Sequence, residues 1–290
     1  MINKIILGTV QLGLNYGINN KSGKPSLKNA YEILHTAYDN GIRILDTAEA
    51  YGNSQEIIGD FQKSNPSKKF KIITKLSANK SLKENYLIEI IKKNCEILNT
   101  KSLYGYMFHN YQSFIKNKSF YKELVLAKEM GLIEKIGISL YSNREVQDII
   151  ENYKEFKIIQ IPFNLLDNES KRKSILLQAK GKDVEIHTRS AFLQGLFFIP
   201  SSNLPSNLID LKKDIEIIEL IKKDYNLRTE ELALKYVIEK DYIDNVLIGV
   251  ENVEQLLANI DICKSNLTIP HSKIDKINIT NENLLNPSKW

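Results

Sequence analysis

Three ionisable side chains end consecutive apolar runs of the sequence, and a tyrosine follows the first of them. Asp46, Lys75 and His109 stand at these run ends. Tyr51 comes shortly after Asp46. A nearby ammonium favours the phenolate, so Lys75 is expected to lower the pKa of Tyr51, and Asp46 would keep the lysine charged. With a neutral imidazole to hydrogen-bond a carbonyl oxygen, these groups would suit proton donation to a carbonyl compound.

Each of these four residues also has an ordinary structural explanation. Asp46 could cap a helix, and Lys75 could simply pair with it. His109 could be a satisfied histidine at a rim, and Tyr51 could be core packing. Taken singly these explanations are the more common ones, but the coincidence at matching run ends favours a shared site. Because the set holds no nucleophile and no group of metal ligands, the hydride of a carbonyl reduction would have to come from a cofactor.

The runs that end at these residues belong to a series of short apolar segments separated by helical patterns. Their continuous apolar character, without alternation, is typical of strands buried on both faces of a parallel sheet. The predicted strands are 5–10, 43–48, 71–76, 103–109, 135–140, 158–163, 184–190 and 245–250. This series predicts an α/β fold, a (β/α)8 TIM barrel that forms a single domain over residues 1–290.

In such a barrel the active site lies at the carboxyl ends of the strands, where the three run ends and Ser139 would meet. A doubly wound open sheet is the alternative. No GxGxxG motif follows any predicted strand, which counts against a Rossmann dinucleotide site.

Helix signals fill the gaps between the predicted strands. Ser26 is expected to cap the helix that starts at Leu27, with Gly41 just beyond its end. Ser81 and Glu84 form a capping box before a further helix. Other helices are predicted at 119–131, 143–153, 169–180, 209–225, 228–240 and 252–263.

Composition narrows the classes of function. The 290 residues are 42% hydrophobic, with 40 basic and 35 acidic residues and a net charge of +5. Lysines are spread along the chain, so no nucleic-acid surface is expected. Cys95 and Cys263 fall at predicted helix core positions as free thiols, and no zinc spacing occurs, so no metal site is expected. The start lacks the pattern of a signal peptide and no apolar run reaches membrane-spanning length, which predicts a cytoplasmic protein without membrane partners.

The segment 41–59 resembles the signature of the aldo-keto reductase superfamily, a strand ending in Asp-Thr-Ala, then Tyr-Gly, then a helix start. Residues 72–75 resemble the family's lysine strand and 107–109 its histidine strand. The resemblance covers nearly the whole chain and implies NAD(P)H-dependent reduction of an aldehyde or ketone. It implies a catalytic tetrad with Tyr51 as the proton donor, completed by Asp46, Lys75 and His109.

The resemblance extends to segments that would hold the nucleotide. Ser139 and Gln160 match residues that hold the nicotinamide carboxamide, and 188–195 matches the loop that packs on the nicotinamide and pyrophosphate. The segment 249–259 matches the last loop and helix, which hold the adenosine end, and a helix N-terminus also suits phosphate. The implied cofactor residues are Thr9, Ser139, Gln160, Arg189, Ser190, Gly195, Gly249, Glu251, Gln255 and Asn259.

Three departures from the family pattern bear on the cofactor. Leu140 stands where many members have Asn, and Arg189 where many have an aromatic residue stacked on the nicotinamide. No Arg or Lys lies between Gly249 and Asn259, and Glu251 would repel a 2′-phosphate or accept from a ribose hydroxyl. The family implies NADP(H), while this local chemistry favours NAD(H) or dual use, and both stay open.

The opening segment 7–13, with Tyr16 and Gly17, resembles a bacterial branch associated with sugar and surface-polysaccharide metabolism. A sugar-like carbonyl substrate is therefore expected. Two other functions remain possible: a nucleotide-binding regulatory or redox-sensing subunit, and a phosphate-binding isomerase or lyase without nicotinamide. The matches at Ser139, Gln160 and 255–259 argue against the last. The oligomeric state stays open.

Overall fold

Parallel strands close into a barrel in chain order, as shown by a computed structural model that describes residues 1–20, 23–78 and 86–290. Each strand pairs in parallel with the next along the chain, and the last pairs with the first. The strands are β1 Ile5–Gly8, β2 Ile44–Asp46, β3 Lys71–Leu76, β4 Leu103–Phe108, β5 Ile133–Ser139, β6 Phe156–Pro162, β7 Glu185–Arg189 and β8 Asn245–Gly249. The predicted barrel is confirmed, and the open-sheet alternative is wrong.

Helices cover the outside of the barrel. They are α1 Val10–Gly13, α2 Leu27–Asp39, α3 Ser54–Ser64, α4 Leu87–Ile97, α5 Tyr111–Lys116, α6 Phe120–Glu129, α7 Asn143–Asn152, α8 Glu169–Lys180, α9 Lys212–Asp224, α10 Thr229–Ile238, α11 Val253–Lys264 and α12 His271–Ile274. Short 3-10 helices are Ile2–Lys4, Leu193–Phe198, Ser201–Asn203, Ser206–Leu211, Glu282–Leu285 and Pro287–Lys289. The helix predicted from residue 209 begins at Lys212, because the preceding turn is a 3-10 helix.

The local helix signals can be checked at α2. The Ser26 hydroxyl accepts the backbone N–H of Asn29 at 3.2 Å, and Gly41 has a φ of +92° just past the helix end, so both predicted caps are confirmed. The predicted capping box of Ser81 and Glu84 lies outside the described residues. Cys95 and Cys263 are buried free thiols, as predicted.

The barrel has two apolar layers. The larger lies between the strands and the helices, where alternate strand residues meet the helices' apolar faces. The smaller fills the barrel interior and consists of Ile6, Ile73, Tyr104, Met107 and Ile158. Because apolar side chains block the middle of the barrel, polar side chains can gather only at its two ends.

Polar side chains close the amino-terminal end of the barrel. The Tyr104 hydroxyl donates to Glu185 Oε2 at 2.9 Å and accepts from Lys135 Nζ at 2.9 Å. Lys135 also forms an ion pair with Glu185, and His187 Nε2 lies 3.4 Å from Glu185 Oε2. We call Tyr104, Lys135, Glu185 and His187 the basal cluster.

No helix in the described part of the chain is long and apolar enough to cross a bilayer. No group of three or more His, Cys, Asp or Glu side chains there could hold a metal ion.

Candidate active site

A buried ion pair lies at the carboxyl end of β2 and β3. Lys75 donates to Asp46 Oδ1 and to the Thr47 carbonyl oxygen, the latter at 3.0 Å. The Gln160 amide donates to Asp46 Oδ2 at 2.8 Å, so both carboxylate oxygens have donors. Asp46 and Lys75 are each only 1% exposed. Burial lowers the pKa of Lys75 and the Asp46 carboxylate raises it, and removing either partner would leave a buried charge uncompensated.

Tyr51 is held by a tight loop between β2 and α3. Its N–H donates to the Ala48 carbonyl, and its own carbonyl accepts from Ser54, both at 3.0 Å. The opening helix α1 packs directly on this loop, because a Cβ at Gly13 would lie 1.8 Å from the Tyr51 carbonyl oxygen. Lys75 Nζ is 5.3 Å from the centroid of the Tyr51 ring. The loop therefore fixes the ring beside the ion pair.

The pKa of Tyr51 is raised, opposite to the lowering that the sequence suggested. Burial is the largest cause, the Asp46 carboxylate raises the pKa further, and Arg189 lowers it. The phenol thus keeps its proton at neutral pH, which is the form that a proton donor needs.

His109 follows β4 and faces Tyr51. The two ring centroids are 6.0 Å apart and the rings stand at 89°. Burial and the nearby Lys75 charge lower the pKa of His109 to about 4. Its Nδ1 is buried and has no hydrogen-bond partner among the described residues. The imidazole is therefore neutral near pH 7, as the sequence suggested.

One cavity of about 400 Å³ opens over the carboxyl ends of the strands and is lined by Tyr51 and Asp46. The predicted cofactor residues that line it are Gln160, Arg189, Ser190, Gly195, Gly249, Glu251, Gln255 and Asn259. This volume is within the usual range for small-molecule sites. The structure therefore brings Tyr51, Asp46 and most of the cofactor candidates to one cavity, while Lys75 and His109 lie outside its lining, Lys75 against Asp46 and His109 against Tyr51.

Two predicted cofactor residues lie outside this lining. The Thr9 hydroxyl is buried, donates to the Asp46 carbonyl at 3.0 Å and accepts from the Ser54 hydroxyl at 2.8 Å. Ser139 is buried at the end of β5, where it pairs in register with Gln160. Thr9 thus supports the end of β2, and the cofactor roles of both residues stay predictions.

The cavity also has lining residues that the sequence analysis did not identify. Gln11 contacts Gly249, where an added Cβ would lie 2.5 Å from the Gln11 amide, and its Oε1 is buried without a partner among the described residues. Gln11 comes three residues after β1, so the search for polar residues at strand ends could have found it. Glu230 lies in the first turn of α10 instead, and no strand-end signal points to it.

The loops after β1 and β7 meet beside the cavity. The Ile18 N–H donates to the Gln194 carbonyl at 3.1 Å, and the Gln194 amide donates to the Tyr16 hydroxyl at 2.9 Å. A Cβ at Gly195 would lie 2.8 Å from that of Asn19. Ser190, Leu193, Gln194 and Gly195 all have positive φ, a conformation that side chains disfavour. We call residues 16–20 and 190–195 the β1–β7 strap.

The far end of the cavity is acidic. Glu251 and Glu230 both line it. The Asn252 side chain accepts from the Gln255 N–H at 2.9 Å, and the Gln255 side chain accepts from the Glu251 N–H at 2.8 Å. Two backbone N–H groups at the start of α11 are thus already satisfied by side chains of the same segment. Of the lining residues that the structure describes, Arg189 alone is a Lys or Arg.

Comparisons with known proteins agree with this architecture. The model of the Aldo/keto reductase family matches residues 4–282. The chain is 23% identical over 263 residues to the aldo-keto reductase YhdN of Bacillus subtilis, covering 81% of this chain and 78% of that protein. It is 23% identical over 282 residues to another protein of that organism, the uncharacterized oxidoreductase YqkF, covering 88% and 89%.

Two further similarities are more partial or purely structural. An uncharacterized oxidoreductase of Schizosaccharomyces pombe is 24% identical over 165 residues, and the chain matches 48% of its length, about half. A solved aldo-keto reductase from Bacillus halodurans, in its holo form, superimposes with a TM-score of 0.74 at 19% identity, covering 94% of this chain and 91% of that one. The last similarity concerns the fold alone.

Proposed function

This chain belongs to the aldo/keto reductase family, and from that premise we propose that it reduces an aldehyde or ketone to an alcohol with hydride from NADH or NADPH. The observation that carries the proposal is the cavity that joins two sets of residues. Tyr51 and Asp46 lie in its wall together with the segment expected to hold the adenosine end. One extended ligand can therefore reach from Tyr51 to Asn259.

Tyr51 and the residues around it have different roles in proton transfer. Tyr51 holds its proton at neutral pH and donates it to the carbonyl oxygen as the alcohol forms. The neutral His109 imidazole orients that oxygen through a hydrogen bond. The Lys75 ammonium stabilises the phenolate left on Tyr51, and Asp46 holds the ammonium in place. The bound nucleotide would supply the hydride.

An orphaned polar atom supports a polar ligand in this cavity. Gln11 Oε1 belongs to a lining residue and is buried without a partner among the described residues, and buried polar atoms normally have hydrogen bonds. We propose that Gln160, Ser190, Gly249, Gln255 and Asn259 hold the nucleotide. Amides along the wall, including Gln11, would also suit a sugar-like substrate.

The nucleotide proposed as the better ligand is NADH. Glu230 and Glu251 line the end of the cavity where the 2′ position is expected. A 2′-phosphate would be repelled there, whereas a ribose hydroxyl could donate to a carboxylate. NADPH stays an alternative, with Arg228 beside Glu230 at 2.9 Å as the nearest basic partner of these carboxylates.

A second function, nucleotide sensing with little turnover, is favoured by one observation. The β1–β7 strap bonds Tyr16 to Gln194 at the edge of the cavity, and such a contact would retain a bound nucleotide. A slowly exchanging nucleotide suits a redox sensor better than an enzyme, because an enzyme must exchange its nucleotide at each turnover.

The test mixes the purified protein with NADH or NADPH and a panel of aldehydes. Loss of reduced nucleotide that depends on the aldehyde supports the reductase. Nucleotide binding, measured by fluorescence, without turnover of any aldehyde supports the sensor. Absence of nucleotide binding would refute both and favour a barrel enzyme without nicotinamide.

A further inference from the structure

Arg189 presents most of its hydrogen-bond donors to the cavity. It ends β7, and its guanidinium carbon lies 4.2 Å from the centroid of the Tyr141 ring. Its Nη2 donates one bond, 3.3 Å long, to the Leu140 carbonyl oxygen. A guanidinium has five N–H donors in a planar fork. The other donors therefore have no acceptor in the described part of the chain.

Arg189 also has no ion-pair partner among the described residues. The nearest catalytic carboxylate, Asp46, has both oxygens engaged by Lys75 and Gln160. Glu230, at the far end of the cavity, is paired with another arginine. The positive charge of Arg189 is thus left uncompensated by these groups.

Arg172 is a buried arginine whose charge and hydrogen-bond donors have partners within this protein. Its Nε and Nη2 bind the two oxygens of Asp167 at 2.6 and 2.7 Å, which is a bidentate pair. Its Nη1 donates to the Asn143 side chain at 2.6 Å. Arg189 has the same chemistry without the carboxylate, and a guanidinium of this kind binds carboxylate or phosphate through two parallel bonds.

The charge of Arg189 acts at the catalytic end of the cavity. It lowers the pKa of Tyr51 and contributes to the lowered pKa of His109. Arg189 and Tyr51 also line the same cavity, so Arg189 can contact a ligand whose carbonyl reacts at Tyr51, and the guanidinium is stacked on the Tyr141 ring. A guanidinium already oriented by stacking loses little freedom when it binds.

We propose that Arg189 binds an anionic group of the substrate, so that the preferred substrates are carbonyl compounds that carry a carboxylate a few bonds from the carbonyl. The inference rests on the proposed reductase function. It adds a substrate class that the family membership does not specify.

The experiment compares succinate semialdehyde with its methyl ester, which share the aldehyde and the chain and differ in charge. In the wild type, kcat/KM for the carboxylate should exceed that for the ester by about tenfold, or about 1.4 kcal/mol, mainly through KM. Arg189→Met should bring the ratio to about one. Arg189→Lys should keep part of it, because a point charge remains without the fork.

Arg43→Met is the matched control. Its guanidinium also stacks on a tyrosine, 4.0 Å from the Tyr38 centroid, but at the amino end of β2, away from the cavity. This variant should leave the ratio of the two substrates unchanged. A wild-type ratio near one, or a ratio that survives in Arg189→Met, would overturn the inference.

The bound nucleotide is the other ligand that Arg189 could contact, either by stacking on the nicotinamide, as the family resemblance implies, or by binding the pyrophosphate. If it does, Arg189→Met will weaken nucleotide binding and lower kcat/KM equally for both aldehydes, which also overturns the inference. Calorimetric binding of succinate to the nucleotide-loaded protein gives a readout without turnover, and it should be lost in Arg189→Met. Failure of the wild type to reduce either aldehyde would count against the reductase function, and the succinate measurement would still decide the role of Arg189.

Discussion

The two ends of the barrel interior both carry an ion pair, yet they differ in the burial of that pair and in whether the cavity lies beside it. At the basal cluster, Tyr104, Lys135 and Glu185 bond to one another, and the side chains of Lys135 and Glu185 are 30% and 27% exposed. At the other end both side chains of the Asp46–Lys75 pair are only 2% exposed, and Asp46 lines the cavity of about 400 Å³. The lining of that cavity includes no member of the basal cluster, so the active-site end is the one arranged for a ligand. Substitutions in the basal cluster should therefore affect stability, and substitutions at the active-site end should affect activity.

Lys75→Met should have the largest effect, because Lys75 contributes both to stability and to activity. The variant leaves the Asp46 carboxylate buried with Gln160 as its one remaining side-chain donor among the described residues. Unfolding free energy should fall by about 3–5 kcal/mol, and activity should be lost as well. Denaturant unfolding and steady-state rates would measure both. A variant with full activity and an unchanged pH–rate profile would refute the coupling of Lys75 to Tyr51.

Tyr51→Phe should affect activity alone. The ring is retained and only the hydroxyl is lost, so the fold and the nucleotide affinity should stay as in the wild type. The rate should drop by about 10²–10⁴, the usual contribution of a general acid. Tyr104→Phe is a matched control that removes a hydroxyl at the other end and should spare turnover. Near wild-type reduction of a good aldehyde by Tyr51→Phe would remove Tyr51 from the mechanism.

Glu185→Gln should affect stability alone. The carboxylate has a pKa lowered to about 2 from 4.5, through hydrogen bonds that overcome the opposite effect of burial. A lowered folded-state pKa means that its stabilisation is complete above 4.5 and is lost as the pH falls towards 2. The variant should be less stable by about 2 kcal/mol at neutral pH, with the difference narrowing on acidification.

Denaturant unfolding at neutral pH and at about pH 3 would measure this narrowing. Glu134→Gln, at an exposed position on β5, is the control and should change little. A Glu185→Gln difference that stays constant with pH would mean that the ion pair does not provide the stabilisation. A large loss of turnover in a folded Glu185→Gln variant would contradict the separation of the two ends.

Glu251→Arg should have the smallest effect, confined to nucleotide choice within the active-site end. An arginine there can pair with a 2′-phosphate, so affinity for NADPH should rise relative to NADH, by severalfold at low salt. Glu254→Arg adds the same charge at an exposed neighbouring position outside the cavity lining and is the control. Dissociation constants of both nucleotides measure the ratio. An unchanged ratio would show that Glu251 is away from the 2′ position.

The sequence by itself determined the eight strands, the barrel class and the four catalytic candidates. Local apolar runs predict the buried strands, and Asp46, Lys75 and His109 lie at the ends of such runs. Because parallel strands of a closed barrel all end at the same face, the position of a residue within its strand is enough to predict this convergence.

Only the tertiary structure decided which polar groups are satisfied, because the partners are distant in sequence and meet only when the barrel closes. The bond between Tyr16 and Gln194 and the basal bond between Tyr104 and Glu185 leave no local signal. The raised pKa of Tyr51 depends on burial and on the nearby Asp46 carboxylate, which spacing alone does not report. The same holds for Arg189, whose lack of a carboxylate partner among the described residues is a property of the assembled cavity.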